Sequence, residues 1–193
     1  MTALTASRTT AETELVLLAR QGDRAAFGEL VRGHLPGVVT VVYRMCGDLP
    51  LAEDAAQEAF LQAWLHLEAF QPGSSLRNWL YRIAVNAALD TLRRGRERSS
   101  GALDALPAAD PQPGPEGEAI RAEQARRVQR AILDLPETSR SALVLREYGG
   151  LSYQEIAAAL DVPVGTVMSR LNHARGQLRE LLSTELEAET DHE

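Results

Sequence analysis

Residues 152–182, SYQEIAAALDVPVGTVMSRLNHARGQLRELL, decide the reading of the chain. Ser152 and Glu155 stand in an S-x-x-E capping box, which predicts a helix start, and Pro163 suits the first position of a second helix, where a missing N–H costs nothing. At about 100° per residue, Val167, Leu171, Ala174, Leu178 and Leu181 form one apolar stripe that must pack inward. Met168, Ser169, Asn172, His173 and Gly176 cluster on the opposite side. Arg175 and Arg179 border that side on one flank and Arg170 on the other. Short polar side chains rimmed by arginine suit the DNA major groove, as in a helix-turn-helix. The competing reading is an ordinary amphipathic hairpin with a solvated arginine face.

A second segment favours nucleic acid. Residues 79–98, WLYRIAVNAALDTLRRGRER, form another amphipathic helix ending in Arg93, Arg94, Arg96 and Arg98. Trp79, Leu80, Ile83, Ala87 and Leu92 are its expected inward residues, while Arg82, Asn86, Asp90 and Arg93 share the outer face. From Leu76 to Arg98 six arginines face Asp90 and Glu97, a local charge of +4 in a chain of net charge −7. Arginines at a helix C-terminus also complement the helix dipole. Two basic helices in an acidic chain nevertheless mark a nucleic-acid footprint.

Composition sets the architecture. The chain has 193 residues, 45% of them hydrophobic but only 5% aromatic, so its cores rest on Leu, Ala and Val. No long alternating Val/Ile/Thr run appears, which predicts an all-α protein. Residues 1–10 read as a disordered Ser/Thr-rich start, and helical periodicity begins near Glu12. Asp23 can cap the next helix, and Pro36-Gly37 are expected to bend or interrupt it. Gly47-Asp48-Leu49-Pro50 is a stop before a helix over about 51–67. Residues 99–118, SSGALDALPAADPQPGPEGE, hold four prolines and four acidic residues and no basic one, a composition that cannot bury a core. The expected organisation is therefore two small helical domains, 11–98 and 125–183, joined by a flexible linker over 99–124 and followed by an acidic tail, 184–193.

The pattern resembles a sigma factor of bacterial RNA polymerase, in the extracytoplasmic-function subgroup of the sigma-70 family. AEDAAQEAFLQAW (52–64) is similar to the family's clamp-binding motif D-x-x-Q-E-x-F-x-x-x-W. FQPGSSLRNWLYRIAVNAALDTLRR (70–94) resembles the segment that opens the −10 promoter element, and GLSYQEIAAALDVPVGTVMSRLNHARGQL (150–178) the helix-turn-helix that reads the −35 element. The resemblance covers about residues 24–98 and 125–182, as sigma regions 2 and 4. It implies that Asp54, Gln57, Glu58, Phe60, Leu61 and Trp64 meet core polymerase, at the β′ clamp coiled coil, with the β subunit a further partner. It assigns Gly73, Ser74, Ser75, Leu76, Arg82, Asn86, Arg93 and Arg94 to the −10 element, and Thr166, Met168, Ser169, Arg170, Asn172, His173, Arg175 and Arg179 to the −35 element. Promoter DNA and an anti-sigma factor are the other implied partners. The chain departs from the commoner pattern at Met168 and His173, where relatives often carry basic residues.

Enzymatic readings lack support in the residues. His34, His66, His173 and His192 are scattered without ligand spacing, and no phosphate-binding glycine loop is present, so no catalytic residue, metal or cofactor is expected. Cys46 is the only cysteine; it excludes an intrachain disulfide and reads as core rather than as a redox switch. The N-terminus lacks a signal-peptide core and no apolar run suits membrane insertion, so a cytoplasmic location is expected. The alternative function is a stand-alone helix-turn-helix regulator that binds duplex DNA without polymerase.

Overall fold

The computed structural model describes the backbone of residues 2–71, 74–99 and 116–190, and the side chains of 11–71, 74–94 and 123–183. Among the described residues it is helical throughout: α1 (Thr2–Arg20), α2 (Arg24–Cys46), α3 (Leu49–Leu65), a 3-10 turn (Leu67–Ala69), α4 (Leu76–Ser99), α5 (Glu116–Asp134), α6 (Glu137–Glu147), α7 (Tyr153–Leu160) and α8 (Val164–Thr190). None of these helices is long and apolar enough to cross a membrane.

The helix boundaries follow from capping chemistry. Asp23 accepts from the amides of Ala25 (2.8 Å) and Ala26 (3.1 Å) and starts α2. Gly47 ends it at φ 77°, its N–H returning to the Tyr43 carbonyl. A side chain at this left-handed position would be strained. Asp48 then caps α3 through Leu51 N at 2.7 Å. The capping box at the head of α7 is complete: Ser152 N donates to Glu155 Oε2 (2.7 Å) and Glu155 N to Ser152 Oγ (3.3 Å). Asp161 closes α7 in the left-handed region, at φ 52°, and makes the turn between the two helices. Pro163 lies just before α8, one place earlier than its sequence context suggests, and its carbonyl accepts from Thr166 and Val167.

One expectation is corrected. α2 runs without a break through Pro36, with the Thr40 hydroxyl donating to the Pro36 carbonyl at 2.7 Å. Gly37 serves packing rather than bending: a Cβ there would lie 2.5 Å from the Tyr81 hydroxyl oxygen, so glycine lets α4 close on α2. Helix α1 runs from Thr2 and is anchored by the buried Val16 and Ala19. Helix α5 begins at Glu116, where the chain turns to Glu, Ala and Arg, all good helix formers. The same propensity carries α8 through most of the acidic tail to Thr190. The remainder of the linker, 100–115, lies outside the described residues.

The N-terminal helices α1–α4 enclose a core in which Val38, Val41, Val42 and Met45 of α2 are fully buried against Ala52, Ala55, Ala56, Ala59 and Ala63 of α3. Each such large side chain contributes about 1.5–3 kcal/mol of burial, and the alanines let the helix axes approach. In α4 the buried row is Leu76, Leu80, Tyr81, Ala84, Val85 and Ala88; Trp79, Ile83, Ala87 and Leu92 are only half-buried along its edge. In α8 the expected stripe is found, with Val167, Leu171 and Ala174 buried and Leu178 and Leu181 half-buried. Cys46 is half-buried, its Sγ 3.2 Å from the Val42 carbonyl, and burial raises its pKa.

The two sets of helices pack on each other. α2 meets α5 and α6, and α4 meets α6 and α7. Arg140, nearly buried, donates across the junction to the Met45 carbonyl at the end of α2 (2.7 Å), and within its own half to the Leu135 (2.9 Å) and Leu133 carbonyls near the end of α5. One guanidinium thus serves the orphan carbonyls of two helix ends.

Candidate polymerase and nucleic-acid interfaces

Helix α3 buries its alanine face and leaves Asp54, Gln57, Glu58 and Leu61 exposed together on the other. Gln62 donates to Glu58 at 2.8 Å. Phe60 is only 7% exposed and belongs mainly to the core. Trp64 is half-buried and tilted 60° on Phe27, with ring centroids 4.9 Å apart. A groove of about 490 Å3 runs beside these residues, lined by Arg24, Phe27, Val31, Leu35, Gln57, Phe60, Leu61 and Trp64. Leu61 and Leu65 stand 59% and 69% exposed one turn apart. Large apolar side chains are normally spared water when grouped, so an acidic-amide face with an apolar floor is suited to a protein partner. Leu35 and Leu65 also stand exposed beside this groove; the sequence does not single them out because nothing in a helical pattern tells a core leucine from an exposed one.

The start of α4 carries a second site. Ser74 and Ser75 are exposed, with Ser75 Oγ accepting from Asn78 N (3.3 Å) and Ser74 Oγ donating to the Gln71 carbonyl (2.6 Å). Leu76 faces the core at 3% exposure and, as the first apolar residue of α4, anchors the helix beneath the loop. Gly73 lies outside the described residues. Asn78, Arg82 and Asn86 follow one another at i, i+4 and i+8; Arg82 and Asn86 are exposed and Asn78 half-buried. Asn78 and Gln71 were missed, although the four-residue spacing ahead of Arg82 was visible. Trp79 packs on Phe70 with centroids 5.3 Å apart. Gln71, Ser74, Ser75, Asn78, Trp79 and Arg82 form one wall of a cleft of about 540 Å3, and Glu155, Ala158 and Ala159 of α7 form the other. Further along α4, Arg93 and Arg94 are exposed, Arg93 pairing with Asp90 at 3.3 Å. Such exposed pairs contribute about 0–1 kcal/mol, so Arg93 is readily released to a phosphate.

On α8 the third face is open. Met168 (48% exposed), Ser169, Asn172, His173 and Arg179 point outward, with Thr166 and Arg170 half-buried on the flank. The Ser169 hydroxyl donates to the Thr166 carbonyl at 2.9 Å, and His173 Nδ1 lies 3.5 Å from Ser139 Oγ. Arg175 differs from Arg179. Its guanidinium donates to the exposed Glu147 carboxylate of α6 at 3.1 Å, and the neighbouring Tyr153 hydroxyl and Glu147 hold it still further into the charged range.

Two exposed basic helical faces, one on a long helix with a polar loop before it and one on the second helix of a helix-turn-helix, define a protein built to meet nucleic acid at two places. Sigma-70 region 2 matches residues 30–98 and Sigma-70, region 4 matches 125–178. The ECF RNA polymerase sigma-E factor of Escherichia coli strain K12 is 42% identical over 176 residues, covering 84% of this chain and 91% of that protein. The solved structure of CnrH in complex with the cytosolic domain of CnrY superposes with a TM-score of 0.69 at 29% identity, covering 90% of this chain and 98% of that one. RpoE of Bartonella quintana, a sigma factor solved with the anti-sigma factor NepR, superposes at 0.68 and 28% identity over 81% of this chain and 96% of that one. The chain belongs to the sigma-70 family of RNA polymerase sigma factors, in its extracytoplasmic-function group.

Proposed function

We propose that this chain binds core RNA polymerase through the outer face of α3, reads the −35 element as duplex with α8, and captures the opened −10 element on the loop and face of α4. It directs initiation without catalysing a reaction of its own, in the cytoplasm. The observation that carries this reading is the separation of two basic faces with different chemistry. On α8, Asn172 can pair bidentately with adenine and Met168 can touch a thymine methyl, both in a major groove. On α4, the cleft beside Ser74, Ser75 and Trp79, with Asn86 and Arg82 following it, offers hydrogen bonds and an aromatic wall to an unpaired base. A protein without nucleotide hydrolysis melts DNA only by binding the opened form better than the duplex.

Region 2 is proposed for 11–98 and region 4 for 125–183. The assigned contacts are Asp54, Gln57, Glu58, Leu61 and Trp64 for polymerase, Ser74, Ser75, Arg82, Asn86, Arg93 and Arg94 for the −10 element, and Thr166, Met168, Ser169, Arg170, Asn172, His173 and Arg179 for the −35 element. An anti-sigma protein is the expected antagonist, since both structural relatives were solved bound to a second protein. The test is transcription by purified core polymerase with and without the chain on a promoter from its host. Transcripts that start only when the chain is added support the reading. Tight duplex binding by the chain alone, with no effect on core, would identify a stand-alone regulator instead.

A further inference from the structure

Ser139 is buried, 5% exposed, in the first turn of α6, yet its hydroxyl does not serve its own helix. Ser141, two places on, shows the ordinary behaviour: its Oγ donates back to the Glu137 carbonyl at 2.8 Å. The carbonyls that Ser139 could reach in the same way are engaged. The Pro136 carbonyl accepts from the amides of Ser139 (2.9 Å) and Arg140 (2.8 Å), and the Leu135 carbonyl accepts from the Arg140 guanidinium (2.9 Å). The Ser139 hydroxyl meets His173 Nδ1 instead, 3.5 Å away across the contact between α6 and α8. His173 is exposed on the outer face of α8, beside Asn172.

In a neutral histidine one ring nitrogen donates and the other accepts, and the hydrogen bond made at one decides the role of the other. With its local acceptors engaged, the Ser139 hydroxyl has its proton to give, and Nδ1 is the acceptor it meets. The ring proton then sits on Nε2, the nitrogen left for a ligand. A contact of 3.5 Å is long for a hydrogen bond and adds little to folding. Its effect is on the choice between the two tautomers, which a weak bond is enough to bias.

We propose that Ser139 is a positioning residue for promoter reading: it holds His173 as a hydrogen-bond donor toward the major groove and so sets which base that residue accepts. The proposal rests on the assignment of α8 to the −35 duplex above. A donor suits guanine, which offers N7 and O6 as acceptors, and opposes cytosine, whose major-groove edge offers only the N4 amino donor. The other tautomer, with Nε2 bare, would accept from cytosine. Ser139, buried in α6, thus acts on the identity of one base pair without touching DNA.

The experiment measures binding of holoenzyme, assembled with the full-length chain, to −35 duplexes of a promoter it transcribes, with each position changed in turn to the other base pairs. His173→Ala locates the position that His173 reads. Ser139→Ala should narrow the preference for guanine over cytosine there by about fivefold, the effect of one hydrogen bond, and leave the other positions unchanged. Combined with His173→Ala, it should change nothing further. Ser139→Thr, which keeps a hydroxyl, should restore the wild-type preference. Proton–nitrogen correlation spectra of the free chain, with the His173 ring assigned by its loss in His173→Ala, should place the ring proton on Nε2 in wild type and shift it toward Nδ1 in Ser139→Ala. Equal weakening on every sequence, or an unchanged tautomer in Ser139→Ala, overturns the positioning role. If His173→Ala alters no position, the −35 assignment of His173 fails and the base preference with it, while the spectra still report on the Ser139 contact.

Discussion

Leu61 and Leu65 offer the sharpest test of the polymerase face, because both project from α3 one turn apart with 59% and 69% of their surface exposed. Full burial of a leucine contributes about 1.5–3 kcal/mol. Scaled by the exposed fractions, a partner that covers them gains about 0.9–1.8 kcal/mol at Leu61 and about 1–2 at Leu65. Truncating both to alanine should therefore cost roughly 2–4 kcal/mol, or about 30- to 900-fold in affinity for core polymerase. Folding should barely respond, by less than about 0.5 kcal/mol, since neither side chain packs in the free core. The assay is a fluorescence titration of core with labelled chain, paired with thermal unfolding of each variant. A double variant that binds core within twofold of wild type, with an unchanged melting temperature, would refute the claim that the α3 face is buried in the complex.

The remaining predictions divide the other faces. Gln57→Ala with Glu58→Arg should weaken core binding by several kcal/mol through like-charge contact with an arginine-bearing partner, read in the same titration with helicity checked by circular dichroism. Asn86→Ala should slow open-complex formation while −35 duplex binding persists, whereas Asn172→Ala should cost about 1–3 kcal/mol at one base position of the duplex; permanganate footprinting and a duplex binding series separate the two. Arg179→Ala should weaken all duplex sequences equally and lower the salt slope by about 1, while Arg175→Ala should change the slope less, because Arg175 is tied to Glu147 and Tyr153. Hydrogen bonds from the Ser152 amide and the Asn78 side chain hold the Glu155 carboxyl below its ordinary value of 4.5. Its contribution is therefore complete above that value and is lost as pH falls through its lower folded value. Urea unfolding across that window should show the gap between wild type and Glu155→Gln closing toward acid pH.

How much of this was legible in the sequence differs from helix to helix, and for physical reasons. The α7–α8 unit was readable in detail because its information is local: a capping box acts over four residues, and one leucine-valine stripe leaves no doubt about which side of α8 is inside. In α4 the period was right and the inward stripe was displaced, because the buried row is built on Ala84, Val85 and Ala88 while the bulkier Trp79 and Ile83 sit on the edge. Small residues mark close helix approach, and a reading that weights size looks past them. Leu76 shows a related limit: the motif places it beside the loop assigned to DNA, while its apolar side chain is buried in the free chain.

The relation between the two halves was least visible, since it rests on pairs 77 to 95 residues apart, Asn78 with Glu155, Arg44 with Gln129, and Arg140 with the Met45 carbonyl. Each partner alone reads as a solvated polar residue. Arg140 is the instructive case: in sequence it is one more arginine in an arginine-rich chain, yet its guanidinium is nearly buried and bonded to carbonyls of both halves. The carbonyls met by its two terminal nitrogens offset part of the cost of burying the cation. One terminal nitrogen of Arg140 therefore serves the Met45 carbonyl of the N-terminal half and the other the Leu133 and Leu135 carbonyls of its own half, a division between two helix ends that no local sequence pattern signals.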